Sequence, residues 1–269
     1  MPLTDFQKGV ARLIAANRTP ESHVAGGAVL NRGVDGLRIS DDLDIFHDVI
    51  KDGRTPAEIV IAYAEADAKL LRESGYSVEW KTRSEGLFRA VVSLGDEHIR
   101  LDWTTDSAFR FFPVQKDDDF GYCLHPADLA TNKLLALAGR SEIRDFLDIL
   151  QLDRAYLNLG AIIWAACGKD EGYTPSMILD QTNRHSRYQE SDLRGENLVR
   201  QVDLKVLKRQ WILARERAEV LFAQLPPHEM GCLYLDQEHQ PVTPDPSRPD
   251  FPNFIRHRGC VCGAWPSIS

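Results

Sequence analysis

The stretch RISDDLDIF, residues 38–46, places three aspartates and a serine inside a short apolar frame. Carboxylates this close repel one another, and taking them out of water costs free energy unless a cation compensates their charge. If residues 41–46 form a strand, Asp42 and Asp44 point to one face with Cα atoms about 6.6 to 6.8 Å apart. That separation suits a hydrated Mg²⁺ or Mn²⁺ ion, which completes its shell with water and substrate phosphate. Asp41 faces the other way and receives no chemical role.

Two further features extend this pattern. Gly26-Gly27 lies upstream at a predicted strand-to-helix turn, where exposed N–H groups and the lack of Cβ atoms let a triphosphate come close. Downstream, Asp102 lies between two apolar residues on a predicted strand, so a third carboxylate can join the first two. Two-metal phosphoryl transfer requires such a set, with Asp102 binding a second ion or accepting a proton. Taken singly, a D-x-D pair is common on solvated edges and a glycine pair is usually a turn.

The composition predicts a globular protein. The chain has 269 residues, of which 43% are apolar, enough for one large domain or two small ones. Its apolar runs are shorter than a membrane span needs, and the N-terminus lacks the pattern of a signal peptide, so we expect a cytoplasmic protein without a membrane partner. A net charge of −8 argues against non-specific coating of nucleic acid but leaves room for a local basic groove.

The cysteines predict reduced thiols. They are five in number and widely scattered, which does not fit a disulfide framework. Cys260 and Cys262 are separated by one residue and have no second pair, so the spacing does not favour structural zinc.

Hydrophobic periodicity predicts an α/β (α+β) N-terminal half and a helical second half. We expect helices at 4–18, 55–74 and 203–223, a strand, turn and short helix at 23–30, a strand at 41–46, and strands at 76–82, 87–95 and 98–106 that form an antiparallel meander. The region after Pro126 reads as helical to about residue 223, with a break at 168–175. This pattern predicts an α/β core at 1–125, a helical domain at 126–225 and a proline-rich extension at 226–269, anchored by Phe251, Phe254 and Trp265.

In combination, these motifs resemble the nucleotidyltransferase family of AbiEii/AbiGii-type toxins, a branch of the polymerase-β-like nucleotidyltransferase superfamily. The resemblance covers about residues 22–152. The matching positions are Gly26, Gly27, Arg38, Ser40, Asp42, Leu43 and Asp44, then Asp128, Leu129, Lys133, Leu134, Ala136 and Leu137, and finally Arg140, Asp145 and Asp148.

The resemblance implies a mixed sheet flanked by helices and transfer of a nucleoside monophosphate from an NTP to an acceptor. For such toxins the acceptor is the 3′ end of tRNA, and the partner is a cognate antitoxin. It also implies nucleotide-binding and catalytic roles, which fall on these residues: Ser40 as a phosphate or sugar contact, Asp42 and Asp44 as metal ligands, Lys133 as a triphosphate contact and Asp145 as an essential acid. Asp102 is not fixed by the family motif.

Other interpretations stay open for several residues. Arg38 either neutralises phosphate or pairs with a nearby acid. Without the resemblance, Lys133 reads as a surface lysine, and Asp145 with Asp148 as a solvated helix face. The basic stretch 183–210, with Tyr188 as a stacking surface, binds RNA or is a solvated helix, and the solvated helix is the more common case.

Three functions therefore compete. The first is a metal-dependent nucleotidyltransferase that modifies tRNA or another RNA as a toxin. The second keeps the fold and transfers the nucleotide to a protein hydroxyl. The third is a catalytically silent nucleotide-binding or interaction protein that retains the pocket.

Overall fold

The computed structural model describes residues 3–33, 36–49, 53–184 and 187–266. The chain divides into two compact units. The α/β unit comprises residues 1–108 and 113–125, and the helical unit comprises 109–112 and 126–269. The predicted division into three regions stays a prediction.

The elements up to residue 106 follow the predicted order, and three short strands between residues 109 and 123 that were not predicted come after them. In chain order, all these elements are α1 (Asp5–Ile14), β1 (Ser22–Ala25), α2 (Gly26–Leu30), β2 (Asp42–Asp48), α3 (Pro56–Glu73), β3 (Ser77–Arg83), β4 (Leu87–Leu94), β5 (Glu97–Asp106), β6 (Phe109–Arg110), β7 (Gln115–Asp117) and β8 (Gly121–Cys123). All lie in the α/β unit except β6, which belongs to the helical unit.

The α/β unit is built on a seven-stranded mixed sheet of order β3-β4-β5-β2-β1-β8-β7. Strands β3, β4 and β5 form the predicted antiparallel meander. Strand β2 pairs with β5 in parallel and with β1 antiparallel. The predicted mixed sheet with flanking helices is thus confirmed, and the parallel β2–β5 pair is what brings two distant aspartates side by side.

Local signals set the ends of the helices that pack on this sheet. Thr55 caps α3 through a capping box with Glu58, and Pro56 occupies the first turn, where its missing N–H costs nothing. The helix ends at Glu73 with Ser74 as its C-cap, and Gly75 follows with φ of +89°, a backbone conformation that glycine adopts without strain. Helix α1 stops at Ile14, short of the predicted end, because the chain tightens there into a 3₁₀ turn.

The core face of the sheet contains a buried polar cluster that the sequence did not predict. Asp67 on α3 pairs with Arg18 at 2.6 Å, with both side chains fully buried, and accepts a hydrogen bond from Trp103 Nε1 at 2.7 Å. Nearby, His47 stacks on Tyr63 with ring centroids 4.5 Å apart. Burial, together with the positive charge of Arg18, lowers the pKa of His47 to about 3, so the ring stays neutral in the folded protein.

The helical unit continues to the C-terminal strands. Its elements are α4 (Pro126–Gly139), α5 (Ile143–Ala155), α6 (Leu159–Ala166), α7 (Pro175–Gln181), α8 (Glu190–Arg194), α9 (Leu204–Gln224), β9 (Cys232–Leu235), β10 (Ile255–Arg258) and β11 (Cys260–Val261). The break predicted at 168–175 falls between α6 and α7. Helix α9 buries the predicted stripe: Leu204, Leu207, Trp211, Ala214, Ala218 and Leu221.

The segment 109–112 is held inside the helical unit. Strand β6 pairs with β11 near the C-terminus. The backbone N–H groups of Phe111 and Phe112 donate to the two carboxylate oxygens of Asp128 at 2.9 and 3.1 Å, and both phenylalanine side chains are fully buried. Asp128 also pairs with Lys169 at 2.8 Å.

One expectation for the aromatic residues of this unit is wrong. Tyr188 is only 4% exposed and packs against Phe146, so it offers no surface on which a base could stack. The three predicted anchors of the C-terminal extension do make contacts: Phe251 and Phe254 pack in the C-terminal core, and Trp265, although 58% exposed, packs its ring against Phe112 with centroids 5.4 Å apart. Within the described residues, no helix is both long enough and apolar enough to span a membrane.

Candidate active site

Three aspartates meet on one face of the sheet in the α/β unit. In the parallel pairing of β2 with β5, Asp44 lies directly opposite Asp102, and Asp42 lies one pleat away on the same face. Leu43 and Ile45 alternate with them and are fully buried on the opposite face. The register therefore places the third carboxylate beside the first two, as the sequence predicted.

Two arginines on neighbouring strands compensate these carboxylates. Arg89, opposite Asp102 on β4, donates from Nε and Nη2 to both oxygens of Asp102 at 2.7 and 2.6 Å. Arg100, opposite Asp42 on β5, pairs with Asp42 and has its Nε 3.6 Å from Asp102. The hydrogen bond to Asp102 raises the pKa of Arg89, which stays charged. Part of the positive charge that compensates these aspartates is therefore supplied by the protein itself.

The glycine pair gives the acidic residues room. Gly26 begins α2 with φ of +69°, and a Cβ atom there would lie 2.0 Å from Oδ2 of Asp44. A Cβ on Gly27 would lie 2.5 Å from Nη2 of Arg38 and 2.8 Å from Oγ of Ser40. Any side chain at these two positions would displace groups of the candidate site, so the local backbone requires glycine.

Ser40 and Arg38 lie in the segment that enters β2, and both are buried. The Ser40 hydroxyl donates to Oδ1 of Asp42 at 2.9 Å, which fixes one oxygen of that carboxylate. The backbone carbonyl of Ser40 accepts a hydrogen bond from Gln7 on α1 at 2.8 Å. The roles of Arg38 and Ser40 toward a nucleotide stay predictions.

Lys133 and Asp145 lie together inside the helical unit. Nζ of Lys133 on α4 is 3.0 Å from Asp145 and 3.2 Å from Asp148, both on α5, and both carboxylates are fully buried. Arg140 donates from Nε to the other oxygen of Asp145 at 2.7 Å. The surface interpretation of these three residues is therefore wrong, and Asp145 and Asp148 hold the lysine between them.

Electrostatics keep Asp145 ionised despite its burial. Burial alone would raise the pKa of this carboxyl group, but the hydrogen bond from Arg140 and the charge of Lys133 outweigh it and hold the pKa below its usual value. The ammonium group of Lys133 is thus fixed between two carboxylates, Asp145 and Asp148.

The donor chemistry of Asp42, Asp44 and Asp102 fits a hard divalent cation, which binds carboxylate oxygens. Within the described ranges, no three His, Cys, Asp or Glu side chains converge closely enough to enclose an ion as they stand. Asp42 and Asp102 are instead paired with Arg100 and Arg89.

Together, the mixed sheet, the glycine turn and the three strand-borne aspartates define the class: a nucleotidyltransferase. The chain belongs to the family of nucleotidyl transferase AbiEii toxins of type IV toxin–antitoxin systems, which matches residues 11–221. It is therefore a nucleotidyltransferase toxin, and its family associates it with an NTP substrate and an antitoxin.

A solved structure, that of MenT4, shows a similar fold. MenT4, a nucleotidyltransferase toxin from Mycobacterium tuberculosis H37Rv, is 16% identical, with 83% of each chain covered and a TM-score of 0.56. JHP933 from Helicobacter pylori is 15% identical, covering 81% of this chain and 93% of that one, with a TM-score of 0.46. A search among curated proteins gives no significant match.

Arg89 and Arg100 are the residues of this site that sequence reasoning missed. One signal was available: Arg100 and Asp102 are two residues apart on a predicted strand and so share a face. Arg89 carried no comparable signal, because its position opposite Asp102 depends on the register between two strands.

Proposed function

We propose that this toxin transfers a nucleoside monophosphate from an NTP to the 3′ end of tRNA, using divalent cations held by Asp42, Asp44 and Asp102. The observation that carries the proposal is the register of β2 with β5, which sets Asp44 opposite Asp102 and Asp42 on the same face. Bound there, a divalent cation would activate the attacking hydroxyl and neutralise the leaving phosphates.

The residues around the aspartates support this proposal by what each can bind. The Gly26-Gly27 turn has no Cβ atoms, which lets the side chains of Asp44, Arg38 and Ser40 lie directly against its backbone. Ser40 orients Asp42 through its hydroxyl group. Asp42 and Asp102, with side chains only 6% and 10% exposed, lie in surroundings where water competes weakly for a bound cation.

Labelling with α-³²P NTPs tests the aspartates, and the chain offers a matched control. Asp42→Asn and Asp44→Asn remove one charge from the site, whereas Asp41→Asn removes the same charge from the exposed neighbouring aspartate. We expect the first two to lose about 1,000-fold or more in labelling rate, since a transition-state interaction worth about 4 kcal/mol is lost, and Asp41→Asn to stay within threefold of wild type. Full activity of both site variants would refute the metal site.

The acceptor is tested separately with the wild-type protein. Purified tRNA with a free 3′ hydroxyl should take up label, and tRNA whose 3′ ribose has been oxidised with periodate should not. EDTA should abolish labelling, and added Mg²⁺ or Mn²⁺ should restore it. Label that enters protein in a lysate, with tRNA unlabelled, would favour transfer to a protein hydroxyl instead.

A further inference from the structure

The two arginines of the candidate site are placed where they compete with a metal ion. Arg100 is paired with Asp42, and its Nε lies 3.6 Å from Oδ1 of Asp102. Arg89 donates hydrogen bonds to both oxygens of Asp102. Each carboxylate oxygen that accepts a hydrogen bond from a guanidinium group has one lone pair fewer to offer a cation. With three carboxylates and two guanidinium groups, this cluster carries a net charge of −1, much less than the −3 of the acids alone.

Exposure differs between the two members of each ion pair. The arginine side chains are 35% exposed for Arg89 and 33% for Arg100, whereas their carboxylate partners are 10% and 6% exposed. The acids are thus the more buried members of each pair. Arg100 donates one hydrogen bond to Asp42, whereas Arg89 donates two to Asp102, so Arg100 is the arginine held by fewer bonds. A guanidinium group released from a carboxylate needs another anion, and its planar fork matches phosphate oxygens as well as carboxylate oxygens.

We infer that Arg100 exchanges partners during the catalytic cycle, leaving Asp42 when a divalent cation binds and then contacting the triphosphate of the incoming nucleotide. The inference rests on the proposed function, because it assumes that Asp42 is a metal ligand. Arg89, held by two hydrogen bonds to one carboxylate, stays on Asp102 and orients it. Arg100 is thus a substrate-binding residue, and Arg89 a positioning residue.

This exchange predicts opposite effects of one substitution on two binding steps. Arg100→Gln removes the competing charge, so Mn²⁺ measured by electron paramagnetic resonance without nucleotide should bind about tenfold more tightly than to wild type. With Mn²⁺ saturating, a non-hydrolysable α,β-methylene NTP should bind about tenfold more weakly, while the nucleoside without phosphates should bind unchanged. A residue that merely supports the fold would weaken both metal and nucleotide binding.

Arg83→Gln is the matched control. Arg83 lies on β3 of the same sheet and pairs with Glu65, away from the three aspartates, with a side chain that is 50% exposed. We expect neither binding constant to change by more than twofold in this variant. Circular dichroism and thermal unfolding check that each variant is folded.

The possible failures can be told apart. If Mn²⁺ binding to wild type is unaffected by Asp42→Asn, the proposed metal site itself is wrong. If Mn²⁺ binding depends on Asp42 but Arg100→Gln leaves it unchanged or weakens it, only the exchange is refuted. If Arg100→Gln does not fold, Arg100→Lys is used, because lysine keeps the positive charge but lacks the planar guanidinium group. This variant should bind Mn²⁺ within twofold of wild type and should bind the NTP analogue several-fold more weakly. Unchanged analogue affinity in that variant would overturn the inference.

Discussion

Replacing Gly26 by alanine tests whether the glycine turn exists to admit the carboxylate of Asp44. The new Cβ would lie 2.0 Å from Oδ2 of Asp44, where an ordinary contact is at least 3.4 Å. The carboxylate must therefore retreat by about 1.4 Å, the difference between these two distances. A misplacement of about 1 Å in a catalytic group costs roughly 100-fold in rate, so we expect a loss of at least that size.

Gly95→Ala separates this effect from backbone strain. Gly95, in the turn between β4 and β5, has φ of +61°, close to the +69° of Gly26, but its Cβ would meet no atom within 4 Å. Both variants should lose about 1 to 2 kcal/mol of unfolding free energy, since both force an L-residue into the left-handed region. Only Gly26→Ala should lose nucleotidyl transfer.

The assay combines urea unfolding with α-³²P NTP labelling under conditions in which both variants are folded. The decisive quantity is the labelling rate of Gly26→Ala divided by that of Gly95→Ala, because strain is common to both. A ratio above about one third would refute the argument, since a rate loss that small cannot come from a carboxylate displaced by more than 1 Å.

Three further predictions concern stability. Asp145→Asn leaves Lys133 and Arg140 with one fewer charged partner in a buried site, and it should lower the free energy of unfolding in urea by about 3 kcal/mol. A decrease below about 1 kcal/mol would contradict the buried ion pair. His47→Phe should flatten the dependence of the unfolding free energy on pH. The pKa of His47 is about 3 in the folded protein and 6.5 in the unfolded chain, so the unfolding free energy of wild type falls by about 1.4 kcal/mol per pH unit below pH 6.5. Between pH 7 and 4.5 the unfolding free energy of the variant should therefore rise relative to that of wild type by about 3 kcal/mol. An equal slope in both proteins would show that His47 is protonated in the fold. Trp103→Phe removes the N–H donor to Asp67 and should cost about 1 to 3 kcal/mol, and no loss would mean that the bond is absent.

Much of the fold follows from local sequence. The capping box at Thr55, the glycine after α3 and the alternation in β2 depend on neighbouring residues, so pattern and propensity predict them. The same holds for Asp42 and Asp44, whose common face follows from strand geometry alone. Even Asp102 could be predicted to lie nearby, because it lies in an apolar strand of the same half of the chain.

What the sequence did not predict depends on contacts between distant residues. The Arg18–Asp67 pair joins residues 49 positions apart, and each reads locally as a surface charge. Asp145 and Asp148 fit the pattern of an exposed helix face, but the packing of α5 against α4 buries them around Lys133. The polar residues around Tyr188 likewise predict an exposed ring, although the folded protein buries it. Burial of charged groups is decided by their partners, and partners are set by tertiary structure.

The placement of segment 109–112 has a practical consequence for the expression of truncated fragments of this chain. The polypeptide passes from the α/β unit to the helical unit after residue 108, returns after 112 and leaves again after 125. A fragment ending at residue 125 would keep Phe111 and Phe112 but lose Asp128, which receives their backbone N–H groups. Two phenylalanines that are fully buried in the whole protein would then face water and promote aggregation. We therefore expect fragments that end at residue 125 to aggregate, and we expect the two halves of the toxin to fold only when they are expressed as one polypeptide.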